Sequence, residues 1–166
     1  NSFVKPQKFL VVTDAEYNLK TDGEQVLYQQ GARLPVDSVQ SNTYTVIAPV
    51  RTKTGHLQKQ KLLVPKAASA VHYGYLPYTS NNLLNSAFKF YGKPYGWGGL
   101  KNSVDCSSLL FNAYRTVGIV LPRNADQQEL TAGTKKKLSG SSQERAAVIS
   151  KLMPGSALYM DGHCLM

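Results

Sequence analysis

Between residues 8 and 66 the apolar positions fall in short β-type runs separated by turn residues. The runs are KFLVVT (8–13), EQVLYQQG (24–31), ARLPVDSV (32–39), TYTVIAPV (43–50) and QKLLVPK (60–66). The breakers between them read as Thr21-Asp22-Gly23, Pro35, Pro49 and Thr52-Lys53-Thr54-Gly55. Short strands this closely spaced predict a small β-barrel over residues 1–66, because closure removes exposed strand edges. Residues 67–80 read as a connector whose Tyr73, Tyr75 and Tyr78 pack it down or line a groove.

From Thr79 the period changes. Thr79 or Ser80 is placed to cap a helix through Leu83, Leu84, Ala87, Phe88 and Tyr91 that stops at Gly92. A second helix starts near Cys106, with Leu109, Leu110, Ala113, Tyr114 and Val117 on one stripe and Gly118 ending it. Ser141 and Glu144 have capping-box spacing ahead of a helix through Leu152. Pro154-Gly155 then turns the chain into SALYM, Asp161-Gly162 makes a tight turn, and HCLM starts another strand. Helices followed by strands give an α+β second half over 81–166.

The candidate chemistry lies at the start of the second helix. Val104-Asp105-Cys106-Ser107-Ser108 joins a glycine-rich loop, GKPYGWGGLKNSV, to the apolar stripe. A cysteine in a first helical turn meets outward-pointing N–H groups and the positive end of the helix dipole, which favour thiolate over thiol. Such a cysteine is a candidate nucleophile and needs a base. Of the three histidines, only His163 lies in a strand-like run beyond the helix, while His56 and His72 read as surface or satisfied polar residues. Cys164 follows His163 directly, so strand alternation turns it to the opposite face, and it reads as a small buried hydrophobe. Trp97 reads as a core aromatic, Arg123 as structural, and Gly96, Gly98 and Gly99 as backbone requirements. The histidines form no H-x-x-x-H pair and the cysteines no C-x-x-C pair, which argues against a zinc site.

Charge adds a constraint on partners. The chain of 166 residues carries a formal net charge of +9, which suits polyanions such as anionic lipid or the carboxylates and phosphates of a bacterial wall. Nucleic acid is disfavoured because no zinc-finger spacing or aromatic–basic signature accompanies the charge. Lys135-Lys136-Lys137 reads as a solvated loop. No apolar run approaches the ~20 residues of a membrane span. The sequence opens at Asn1 without a methionine or a signal peptide, which predicts a mature or trimmed chain.

The ordered set GKPYGWGG, DCSSLL, LPRNADQQ and PGSALYMDGHCLM resembles the NlpC-type papain-like cysteine peptidases of bacterial cell walls, from about Leu83 onward. GARLPV, YTVIAPVRTKTG and GYLPYT resemble the bacterial SH3-like domain that precedes the catalytic domain in some members. The resemblance implies Cys106 as nucleophile, His163 as general base and Tyr95 as a hydroxyl near the nucleophile that assists the oxyanion. It implies Asp105 as the receiver of a substrate amino terminus and Ser107 as a polar contact in the same pocket. The implied reaction hydrolyses the γ-D-glutamyl–diamino acid bond of peptidoglycan stem peptides or muropeptides, with no cofactor, in the periplasm or outside the cell. Ser108 and Ala125 depart from the glycine and serine common in relatives. The polar residue that orients the base in the family has no counterpart before Met166, so a papain-like sheet truncated at its end is expected, with a possible C-terminal remainder. The alternative is a wall-binding module whose catalysis is absent or depends on such a remainder.

Overall fold

The computed structural model describes residues 5–21, 25–99, 103–131 and 133–166, so Asp22 and Gly23 of the expected first turn lie outside the described residues. Among the described residues the first half carries seven strands: β1 Phe9–Val12, β2 Glu16–Lys20, β3 Gln25–Gln29, β4 Arg33–Val39, β5 Thr43–Arg51, β6 Leu57–Pro65 and β7 Val71–Tyr73. Five of them form an antiparallel sheet in the order β6-β5-β4-β1-β7, and β2 pairs with β3 as a separate hairpin. The core of this half is Leu10, Val12, Leu19, Leu34, Val46 and Val64, with Leu19 delivered by the hairpin. The run FLVV is buried throughout because β1 is covered on both faces. Leu10 and Val12 enter that core, while Phe9 meets Tyr75 edge-on at 4.8 Å between ring centroids.

All five runs read from the sequence form strands, while β2 and β7 were not anticipated. β7 pairs with β1, so the ladder of the first half reaches into the stretch read as a connector. Pro35 and Pro49 do not break strands as expected; they lie inside β4 and β5. The β4–β5 ladder joins Val36–Val39 to Tyr44–Val46 only, so each proline sits where one side of its strand has no β4–β5 partner. A residue lacking an N–H is tolerated there.

The second half comprises α1 Ser80–Phe88, α2 Cys106–Thr116, α3 Ala125–Glu129, α4 Ser142–Ile149 and a hairpin of β8 Leu158–Met160 with β9 His163–Leu165. Thr79 caps α1 by accepting the Asn82 N–H at 3.2 Å. That helix ends at Phe88, a turn before the expected Gly92, which leaves Tyr91 88% exposed. Asp161-Gly162 joins β8 to β9 as anticipated, and the Ser141–Glu144 capping box opens α4.

The halves meet along α1 and α2. The buried Gln30 amide donates to Thr13 O at 3.0 Å and to Ser86 O at 2.8 Å, tying the β-rich half to α1. Ser86 Oγ lies 3.0 Å from Thr116 Oγ1, and Leu76 N–H donates to Thr116 O at 2.9 Å, which ties the connector to α2. Gly31 has a φ of 76°, and a Cβ there would stand 2.5 Å from Arg115 Cβ, so only glycine lets the chain approach α2 this closely. This seat holds the helix that carries Cys106 at its first residue.

Candidate active site

Asp105 organises the start of α2. As N-cap it accepts the Ser108 N–H at 2.7 Å, while the Ser108 hydroxyl accepts the Asp105 N–H at 2.9 Å, a closed capping box. Its second oxygen accepts the Gly98 N–H at 3.0 Å, an approach made by a loop residue with φ of 78°. Arg123 then clamps the carboxylate with both terminal nitrogens, at 2.6 and 3.1 Å, and its second nitrogen also reaches Ser107 Oγ at 2.9 Å. Burial pushes the Asp105 carboxyl up, but the bonds from Arg123 and Ser108 outweigh it and hold it at about 2. The buried Gln128 side chain donates to Ser107 O and Pro122 O, at 2.9 and 2.8 Å, which pins α3 against the same turn.

Cys106 is half-buried at the first position of α2. A backbone pairing of Pro94–Gly96 with Val104 closes the preceding loop and brings Tyr95 to the nucleophile turn. Burial pushes the Cys106 thiol up, while hydrogen bonds from the Cys164 backbone, the Tyr95 hydroxyl, the Cys164 thiol and the Ser107 backbone lower it, and the lowering prevails. The hydrogen bond to Cys106 is the first cause that raises the Tyr95 phenol, and burial adds to it; the Cys106 backbone N–H bonds the same hydroxyl. A hydroxyl and a backbone N–H thus converge beside the sulfur, where donors to a developing oxyanion are needed.

The thiol opens onto a cleft of about 470 Å³ lined by Tyr95, Trp97, Arg123 and the Met160–Gly162 turn of the hairpin. Trp97 is not a core aromatic: it is 91% exposed on a single 3-10 turn at the cleft rim. The Gly98 N–H draws the turn's backbone, not the indole, toward Asp105. The lining also carries Asp126, Glu129 and Asp161, while its one arginine is committed to Asp105. Among the described residues the lining is therefore acidic within a chain of net charge +9.

Cys106, Tyr95, Asp105 and Ser107 are brought together around one cleft. His163 stands half-exposed at the start of β9, next to Gly162 on the cleft rim and to Cys164 in contact with the thiol. Its imidazole is not among the groups bonded to Cys106. Cys164 does more than fill space: buried with Leu110 and Leu121, it reaches Cys106 and lies 3.9 Å from Gln128 Oε1. Burial is the main cause that pushes its own thiol up to about 12. The sequence reading missed Cys164 as a contact of the nucleophile, and it missed Gln128. The only signal for Gln128 was a buried-side position on the short helix after LPR.

Three comparisons bear on this arrangement. Residues 92–164 match the model of the NlpC/P60 family. A bifunctional muramidase/DL-endopeptidase, CwlT, of Bacillus subtilis (strain 168) is 39% identical over 59 residues, 34% of this chain and 17% of that protein. A solved NlpC/P60 endopeptidase of Photobacterium damselae subsp. piscicida superposes with a TM-score of 0.59 at 27% identity, over 78% of this chain and 28% of that one. An NlpC/P60 family protein of Bacillus cereus ATCC 10987 gives a TM-score of 0.57 at 22% identity, over 82% of this chain and 45% of that one, a likeness of fold. The chain thus spans less than half the length of each of these three relatives.

Proposed function

We propose, on the match of residues 92–164 to the NlpC/P60 family model, that the chain is a cysteine endopeptidase of peptidoglycan stem peptides. The observation that carries the reading is Cys106 itself, set at a helix N-terminus, opening onto a cleft, with hydrogen bonds that favour its thiolate. The Cys106 thiolate attacks the γ-D-glutamyl carbonyl, and Tyr95 Oη with the Cys106 N–H stabilises the oxyanion. Collapse expels the diamino acid amine, which takes its proton from His163, and water then hydrolyses the acyl-enzyme. His163 serves as base by turning its ring from the strand start toward the sulfur, since catalytic bonds commonly tighten only once substrate is bound.

Asp105 enters this mechanism with five donors already on its oxygens. A substrate ammonium therefore competes with Arg123 for it, and Asp126, Glu129 and Asp161 supply the remaining negative charge of the cleft. Ser107, bonded to both Asp105 and Arg123, keeps that corner of the pocket polar. We read residues 1–66 as an SH3-like module ahead of the catalytic part; support comes from the β2–β3 hairpin folded over the sheet around one core.

The test is cleavage of L-Ala-γ-D-Glu-diaminopimelate by the full chain. The γ-glutamyl bond is cut by the wild type, and Cys106→Ala lowers the rate by on the order of 10⁴-fold or more. No cleavage alongside retained binding to isolated wall would leave the wall-binding reading in its place.

A further inference from the structure

The only two cysteines of the chain meet at the nucleophile, from two different elements. Cys106 begins α2 and lies on the open cleft; Cys164 is the middle residue of β9 and is 1% exposed. Cys106 packs on the buried cluster that contains Cys164, and each thiol is near enough to shift the titration of the other. Both are free, so the contact is between reduced sulfurs.

Access to the pair is one-sided. An oxidant in the cleft reaches Cys106, whereas Cys164 lies behind it under Leu110 and Leu121. We propose that Cys164 is the resolving cysteine of Cys106, capturing the oxidised nucleophile as an intramolecular disulfide when a hydroperoxide enters the cleft. The Cys106 thiolate attacks the peroxide, the O–O bond breaks, and Cys106 becomes a sulfenic acid with release of hydroxide, which takes a proton from water or buffer. The Cys164 sulfur then attacks the Cys106 sulfur. An S–S bond forms, the S–OH bond breaks, and the Cys164 proton leaves with the hydroxyl as water. The hydroperoxide is the two-electron oxidant, and both cysteines together are the reductant.

Two features of the site favour resolution over further oxidation. The thiol contact already exists, so closing the bond needs a small approach of β9 to the first turn of α2 rather than an unfolding step. The Cys164 thiol is packed among Leu110 and Leu121 with the Gln128 amide oxygen 3.9 Å away, and of the groups set against it Cys106 is the one that an oxidant makes electrophilic. The consequence is a switch: the disulfide occupies the nucleophile and a dithiol restores it. That consequence rests on Cys106 being the peptidase nucleophile, whereas the disulfide does not.

The full chain is exposed to hydrogen peroxide under native conditions, quenched by alkylation and examined by intact mass and peptide mapping. The wild type is expected to lose a pair of hydrogens, to yield one linked peptide joining Cys106 to Cys164, and to recover both thiols with dithiothreitol. Cys164→Val and Cys164→Ser are expected to accumulate sulfinic and sulfonic acid at Cys106, which dithiothreitol does not reverse. Sulfinic acid at Cys106 of the wild type, formed as fast as in the variants with Cys164 still alkylated after unfolding, overturns the proposal. So do disulfides between chains only. Peptide cleavage measured on the same samples separates the two readings. Loss and recovery of cleavage with the disulfide supports the switch, and a linked peptide in a chain that never cleaves keeps the pair and rejects the switch.

Discussion

The β-rich half and the half that carries Cys106 are built on different principles. Leu10, Val12, Leu19, Leu34, Val46 and Val64 make an apolar core under a sheet, and among the described residues Gln30 is the buried polar residue of that half. In the second half the clustered apolar core is Leu110, Leu121 and Cys164, set among buried Ser86, Asp105, Ser107, Ser108, Asn112, Thr116 and Gln128. Burial of apolar area is non-directional and tolerates small displacements, whereas a hydrogen-bonded polar network fixes atoms in place. A nucleophile set beside a hydrogen-bonded carboxylate and helix cap needs the second kind of interior, at the cost of sensitivity to charge and pH.

The comparison breaks most visibly with core truncations. Leu34→Ala, in the β-rich half, is expected to lower unfolding free energy by about 3 kcal/mol, with a loss that stays constant between acidic and neutral pH. Urea unfolding at several pH values checks this. Next comes Arg123→Met, which keeps the packed stem but leaves Asp105 buried without its cation; a loss of about 2 kcal/mol at neutral pH is expected. That loss should shrink in acid. The folded Asp105 value of about 2 lies below the unfolded carboxylate's ~3.9, so the stabilisation is complete above ~3.9 and disappears as pH falls through about 2. Hydrogen exchange at low pH should accordingly open α2 before β1 and β4. An acid response no larger near α2 than in the sheet would remove the contrast between the halves.

Gly31→Ala tests the seat between them. Positive φ and the close Arg115 Cβ predict a loss of about 1–2 kcal/mol, with faster exchange at Thr116 and Leu76. The smallest effect is expected from Tyr95→Phe. Removing a donor to the sulfur raises the pH at which Cys106 becomes reactive, and iodoacetamide alkylation against pH reads the upward shift.

Local signals in the sequence were strong where one element satisfies itself. Thr79 and Ser141 announced two helix starts and are observed N-caps, while Asp105, read as a substrate contact, proves to be the N-cap of the helix expected near Cys106. The apolar runs gave five strands, but EYNLK and VHY went unseen because β2 buries only Leu19 fully and β7 is three residues long. Pro35 and Pro49 misled for a related reason, since whether a missing N–H matters depends on which neighbour strand lies beside it. Trp97 was equally illegible: an aromatic in a glycine-rich loop is buried or exposed according to where the turn's backbone is anchored.

Local pattern therefore determined five of the strands, the caps at Thr79 and Ser141 and the placing of Cys106 at a helix N-terminus, because these depend on neighbours a few residues apart. Only tertiary structure decided what surrounds the sulfur. Tyr95 comes from the loop before it, Arg123 and Gln128 from the segment after α2, and Cys164 from a hairpin near the end of the chain. Those contacts are between residues distant in sequence. The acidity of the cleft and the pairing of the two thiols arise from how helices and hairpin pack, which no run of neighbouring residues encodes.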